Sequence, residues 1–167
     1  MSATPPPVTV RPATLDDVDA VVAVLVEVAG EGRWIATEAP VDVEQRRRRL
    51  VEDIEREDAI VLVAEAGGQP VGELGLHLAR YGVADLGMLV AAGWRGRGVG
   101  TALLDEAVRR AREAGAHKIA LQVWPHNAAA IALYERFGFQ REGYLRRHYR
   151  RRSGELWDAV VMGLPLD

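Results

Sequence analysis

The chain has no cysteine, which excludes a disulfide framework, a thiolate metal site and a cysteinyl acyl-enzyme. Lysine is almost missing as well. Lys118 is the only one, and arginine supplies the rest of the positive charge, a bias of genome before function. No apolar run approaches the ~18 residues of a membrane span, so no membrane partner is expected. Residues 1–7 lack the basic flank and apolar centre of a signal peptide, which leaves the cytoplasm as the default location. Pro5, Pro6 and Pro7 mark that stretch as a disordered lead-in. His77, His117, His126 and His148 show no metal-ligand spacing, and no metal is expected. A net charge of -3 gives the molecule as a whole no footprint for nucleic acid.

What is present is the composition of one globular domain over residues 8–167, with 49% hydrophobic and 27% charged residues. Residues 8–11 read as a first strand. Thr14 is a suitable N-cap for a helix over residues 15–29, and Asp16 and Asp17 favour its positive end. Leu15, Val18, Val22, Leu25 and Val26 form its apolar face, and Gly30 and Gly32 break it. After a loop over residues 33–41, Asp42 caps a second helix reaching residue 56. Its run of Arg46, Arg47, Arg48 and Arg49 resembles a nucleic-acid patch only in isolation. Glu44 with Arg48, Arg48 with Glu52, and Arg49 with Asp53 stand four apart, the spacing of a salt-bridged, solvated face.

Three β-favouring runs follow, over residues 60–64, 71–78 and 84–90, the first two joined by a Gly67-Gly68 hairpin. A helix over 99–114, a strand over 118–123 and a helix over 127–137 come next. Two strands, over 139–147 and 156–164, close the order with a turn near Ser153 and Gly154. The strand–helix–strand unit around residues 90–123 requires one parallel crossover in a largely antiparallel sheet. The expected fold class is α+β and three-layered: a mixed, mostly antiparallel sheet of six to seven strands with helices on both faces.

Gly96, Gly98 and Gly100 lie where the third of those runs, ending in Met88, Leu89 and Val90, turns into a helix. Free backbone N–H groups and the positive end of a helix dipole converge there, which suits phosphate. Glycine lets the backbone approach an anion, and Arg95 and Arg97 can add charge-assisted hydrogen bonds. A P-loop would require a lysine after the glycines. A dinucleotide fingerprint would require Gly-x-Gly-x-x-Gly in a first βα unit. Neither fits, whereas Arg95, Gly98 and Gly100 satisfy a third pattern, Arg/Gln-x-x-Gly-x-Gly/Ala, the acyl-CoA turn. Downstream, Asn127 is placed to cap the next helix, and Ala128, Ala129 and Ala130 are small. Tyr134 lies two helical turns beyond Asn127, ahead of Gly138 and Phe139.

Through these two blocks, and most strongly over residues 85–139, the sequence resembles the GNAT superfamily of acyl-CoA-dependent N-acetyltransferases. The resemblance implies the three-layer GNAT fold, acetyl-CoA as acetyl donor, and direct transfer to an amine within a ternary complex. It implies that Arg95, Gly96, Arg97, Gly98, Val99, Gly100 and Thr101 hold the pyrophosphate. The backbone of Met88, Leu89 and Val90 would bond the pantetheine arm and polarise the thioester, with Asn127 and Ala130 bordering the arm. Arg136 would approach the 3′-phosphate, and Tyr134 would protonate the leaving thiolate or at least hydrogen-bond it. The base is open between Glu73, Asp85, Glu38, His77 and a chain of waters. The arginine-rich run over residues 142–158, with Gly154-x-x-x-Asp158, is similar to the ending of certain GNAT enzymes. Those enzymes acetylate amino acids, phosphinothricin-like herbicides or ribosomal-protein N-termini. A small-molecule primary amine such as an amino acid is the leading acceptor. Protein N-terminal acetylation through a groove near residues 34–38 and a non-catalytic acetyl-CoA-binding module are the alternatives. The resemblance also allows a homodimer through the C-terminal strands.

Overall fold

The β-favouring runs become a seven-stranded sheet in the computed structural model, which describes residues 3–167. Met1 and Ser2 of the expected lead-in lie outside the described residues, and residues 3–7 are exposed without regular secondary structure. The strands are β1 (Val8–Pro12), β2 (Ala59–Ala66), β3 (Gln69–Leu78), β4 (Val83–Val90), β5 (Lys118–Val123), β6 (Gln140–Arg150) and β7 (Leu156–Pro165). The helices are α1 (Val18–Gly30), α2 (Val43–Glu55), α3 (Val99–Glu113) and α4 (Ala128–Arg136). Spatial order in the sheet is β1-β2-β3-β4-β5-β7-β6. Neighbours are antiparallel except β4 and β5, which run parallel and are joined through α3, as a crossover demands. Gly67 and Gly68, at φ of 57° and 79°, make the β2–β3 turn that a side chain would resist.

Strand alternation sorts the side chains onto two faces. Leu62, Leu74, Leu76 and Leu86 meet Leu103 and Leu104 of α3 and Ile131 of α4 in the larger core. Val61 and Val63 look the other way, to Val18, Val21 and Val22 of α1 and Leu50 of α2. The result is the expected α+β, three-layer arrangement.

Two local expectations are corrected. Leu15 and Val26 are 52% and 37% exposed. Residues 15–17 form a tighter 3-10 turn that takes Leu15 off the helical stripe, and α1 buries Val18, Val21, Val22, Leu25 and Val28 instead. On α2, Asp42 caps as expected, accepting the Gln45 N–H at 3.0 Å. The ion pairs do not follow the four-residue spacing, because Arg48 and Arg49 face solvent. Arg47, on the side turned to α1, reaches Asp19 at 2.6 Å and Glu44 at 3.8 Å.

The site is positioned by an incomplete pairing. β4 and β5 are matched only through Val83, Ala84 and Asp85 against Lys118, Ile119 and Ala120. Beyond those residues the two strands part, and the sheet opens.

Candidate active site

The opening forms a cleft of about 580 Å³, lined on one side by Leu86, Gly87, Met88, Leu89 and Val90 and on the other by Val123, Trp124 and α4. At one end the chain passes through Gly96 and Gly98, with φ of 71° and 81°, before α3 begins. Gly98 is the helix N-cap and offers no capping side chain. The first-turn N–H groups of α3 have no carbonyl within the helix to bond. Gly96, Gly98, Val99, Gly100 and Thr101 all line the cleft, so these donors and the positive helix end share one place. A Cβ on Gly98 would meet nothing within 4 Å, which leaves the space above the turn open to an anion. Gly100 has another task. A Cβ there would stand 2.8 Å from Leu133 of α4, so glycine sets how closely the two helices approach.

Helix α4 supplies the opposite wall through Asn127, Ala129, Ala130, Leu133, Tyr134 and Arg136. Asn127 caps it, its Oδ1 accepting the Ala130 N–H at 3.3 Å. Tyr134 is 6% exposed and packs on Phe139 with ring centroids 5.4 Å apart. Burial alone pushes its hydroxyl up to about 12, with no neighbouring charge contributing.

The two arginines of the turn each hold protein groups. The Arg95 guanidinium forms a two-pronged pair with Glu31 at 2.7 and 2.8 Å, donates to the Val90 carbonyl at 3.1 Å, and lies over Trp34. That hydrogen bonding holds the Glu31 carboxyl below the ordinary range. Arg97 stacks on Trp94, 5.2 Å from the ring centre, outside the main cleft. The turn therefore presents backbone to the cleft, with both guanidiniums engaged on protein groups.

The candidate bases are likewise outside the cleft lining. Leu74 and Leu76 take the α3 face of β3, so Glu73 turns to the opposite layer, among Arg46 and Asp53 of α2 and His77. It is buried there, and burial raises its pKa. His77 pairs with Asp53 at 3.0 Å. Glu38 accepts the Arg152 N–H at 3.0 Å and lies 3.4 Å from Arg151 Nε. Asp85 is exposed at the last position where β4 pairs with β5, two residues before Gly87, which does line the cleft.

Among the residues lining the far end of the cleft, only the loop over residues 34–38 was legible in the sequence. Trp34, Ile35 and Ala36 after α1, Gln122 and Trp124, and Tyr149 of β6 enclose it. Trp124 meets Tyr149 and Trp157 edge to face, with centroids at 5.0 and 5.2 Å, and Trp157 meets His126 at 5.1 Å. Arg151 is buried behind them, 4.3 Å from the Trp157 ring centre and donating to the Ala36 carbonyl at 3.1 Å. A slip in the β6–β7 pairing between Leu145 and Tyr149 precedes the entry of Tyr149 into this wall. Asp158 holds the slip by accepting from the Tyr144 hydroxyl and the Arg147 N–H, both at 2.6 Å. Gly154-x-x-x-Asp158 was the one visible signal of this construction.

Residues 31–139 match the Acetyltransferase (GNAT) family. Over 106 residues, 60% of this chain, the sequence is 37% identical to the L-amino acid N-acetyltransferase of Escherichia coli. That match spans 65% of the enzyme's own length, just under two thirds. The L-methionine sulfoximine/L-methionine sulfone acetyltransferase of Pseudomonas aeruginosa is 27% identical over 163 residues, 95% of this chain and 94% of its own. The ribosomal-protein-alanine N-acetyltransferase structure from Brucella melitensis superposes with a TM-score of 0.86 at 32% identity, covering 95% of this chain and 99% of that one. The family match takes in both the glycine turn and α4, and the chain belongs to the GNAT acetyltransferase family.

Proposed function

We propose that the chain transfers the acetyl group of acetyl-CoA directly to the primary amine of a small molecule, an amino acid or amino-acid-like compound. One observation carries this reading. A single continuous cleft joins an open helix N-terminus, a buried tyrosine and a chamber walled by aromatic rings. An elongated thioester with an anionic head fits that sequence of environments. Backbone N–H groups from Gly96 to Thr101 would hold the pyrophosphate, with Arg95 stiffening the turn through Glu31 and Trp34. Arg136 lies exposed at the mouth, within reach of a further phosphate. The β5-facing edge of Met88, Leu89 and Val90 has no strand partner, so its peptide groups, apart from the Val90 carbonyl held by Arg95, are open to an amide-bearing arm and to the thioester carbonyl.

Tyr134 would stabilise the departing sulfur. With a hydroxyl held at about 12 it stays protonated at neutral pH. A thiol titrates near ~8.5, so complete transfer from this hydroxyl runs uphill, and the role is to donate a hydrogen bond to the thiolate. No carboxylate or imidazole lines the cleft among the described residues. Asp85 lies about 7 Å from Gly87 along the same strand face, a distance that water bridges. The amine's proton would leave by that relay.

Acetylation of a protein N-terminus would need an open groove beside residues 34–38. That loop is pinned by Glu38 to Arg152, by the Pro40 carbonyl to Arg152 Nη1 at 3.1 Å, and by the Arg33 carbonyl to His126 at 2.7 Å. The pinning supports a small acceptor. The test is a thiol-release assay with acetyl-CoA across amino acids, polyamines, aminoglycosides and N-terminal peptides, with melting temperature as the binding readout. Acetyl-CoA at about 100 times its Kd should stabilise the fold by about 2.7 kcal/mol. No shift at millimolar acetyl-CoA, and no thiol released with any amine, would overturn the proposal.

A further inference from the structure

We infer that the acceptor carries an aromatic or similarly bulky uncharged group beside its amine, and that amines with a second positive charge are rejected. The inference rests on the acetyl-transfer reading and specifies its substrate class. The chain has four tryptophans. Trp34 and Trp124 line the chamber, Trp157 backs it, and Trp94 borders the other end of the same cleft. Concentrating these residues in one cleft builds a large rigid apolar wall, with the edge-to-face contacts fixing each ring's tilt. The polar groups at the chamber's side are Gln122 and the Tyr149 hydroxyl, and they bond to each other, the hydroxyl donating to Gln122 Oε1. A flat apolar group therefore meets a hydroxyl and an amide oxygen that already satisfy each other.

Charge argues in the same direction. The cleft lining contains no Asp, Glu, Lys or His, and of its cations Arg95, between the glycine turn and Trp34, is paired with Glu31, while Arg136 is exposed on α4. The tryptophan rings already carry guanidiniums: Arg33 lies 4.7 Å and Arg95 5.7 Å from the Trp34 centre. Arg151 lies 5.5 Å from that of Trp124 and 4.3 Å from that of Trp157. A second ammonium entering the chamber would lose its water, find the bordering carboxylates of Glu31 and Glu38 already paired with Arg95 and Arg151, and meet rings whose attraction for cations is in use. An aryl group has none of these penalties. Aromatic amino acids and arylalkylamines share the required chemistry.

The experiment is steady-state thiol release with tryptamine, L-tryptophan, propylamine and spermidine, using wild type, Tyr149→Leu and Trp124→Leu. A ring burying on the order of 100 Å² corresponds to about 50-fold in kcat/KM over propylamine. Tyr149→Leu and Trp124→Leu should each bring that ratio down toward one, while an acetyl-CoA melting shift certifies that the variant is folded. Comparing tryptamine with L-tryptophan tells which source of the aryl group is used. Spermidine or propylamine turning over faster than both aryl amines would overturn the inference and leave acetyl transfer standing. Should no amine be acetylated, saturable quenching of protein fluorescence by phenethylamine in the presence of CoA supports the inference, and its absence overturns it. A missing acetyl-CoA shift in wild type would instead sink the underlying reading.

Discussion

Replacing Tyr134 by phenylalanine removes one oxygen from a buried point of the cleft wall and keeps the ring that packs on Phe139. If the hydroxyl donates to the developing thiolate, a hydrogen bond to a charged group is lost, worth about 1.5–3 kcal/mol. Turnover then falls about 10- to 150-fold. The ground-state thioester has no charge on sulfur, so acetyl-CoA affinity should barely change, the signature of an interaction made in the transition state. The same oxygen has a second, independent readout. Its folded value of about 12 exceeds the ordinary 10.0, so the folded chain keeps a proton that the unfolded chain releases in that interval. The contribution is fully present below pH 10 and is lost as pH rises toward 12, about 3 kcal/mol in all. Urea unfolding of wild type and variant from about pH 8 to about pH 11.5 isolates it, because the phenylalanine protein has no proton to lose there. Turnover within about twofold of wild type would refute the role given to Tyr134, whatever the alkaline limb shows.

Gly98→Trp should abolish the acetyl-CoA melting shift while costing about 1–2 kcal/mol of stability for a side chain at φ of 81°. Calorimetry showing normal acetyl-CoA affinity would refute the anion site at the turn. Gly100→Ala places a Cβ 2.8 Å from the tip of Leu133, a clash partly offset by alanine's better helix propensity, and should destabilise by about 0.5–2 kcal/mol in denaturant titration. An unchanged midpoint would mean that Leu133 yields freely. Asp17 is held down to about 2, first by its hydrogen bonding to Arg11. Its stabilisation is present above the ordinary value of 3.8 and lost as pH falls through about 2. Allowing for the exposure of Arg11, this is worth up to about 2 kcal/mol. Asp17→Asn should lower stability at neutral pH and flatten the acid limb, as urea titrations at about pH 7 and about pH 2.5 would report.

What could be read from the sequence was local and periodic. The strand over Lys118–Val123, the Gly67-Gly68 turn and the Asn127 cap each rest on neighbouring residues, and each forms where expected. The buried face of α1 was harder, because its sequence is apolar at almost every position and a tight first turn shifts the stripe. Arg95 and Arg97 were legible as positive charge near a phosphate turn. Their partners Glu31 and Trp94 depend on how a distant loop and a short 3-10 turn fold back. Of the chamber, only the loop near residues 34–38 and the Gly154-x-x-x-Asp158 spacing were legible. Trp124, Tyr149 and Trp157 meet because β7 slides between β5 and β6. No local spacing announces that order.

The short ladder joining β4 to β5 also bears on how the molecule comes apart. With three paired positions, the β4–β5 ladder is the shortest in the sheet, although one core of α3, α4 and both sets of strands runs beneath it. An amide-bearing ligand laid along the unpaired stretch of β4 would act as the absent rungs of the ladder, a keystone more than a passenger. Amide exchange along Leu86 to Val90 should then slow when the ligand is bound, because the strand gains the hydrogen bonds that β5 does not supply there. For a catalyst that releases one product and takes up its donor again each turn, the fold itself would loosen and tighten with the cycle.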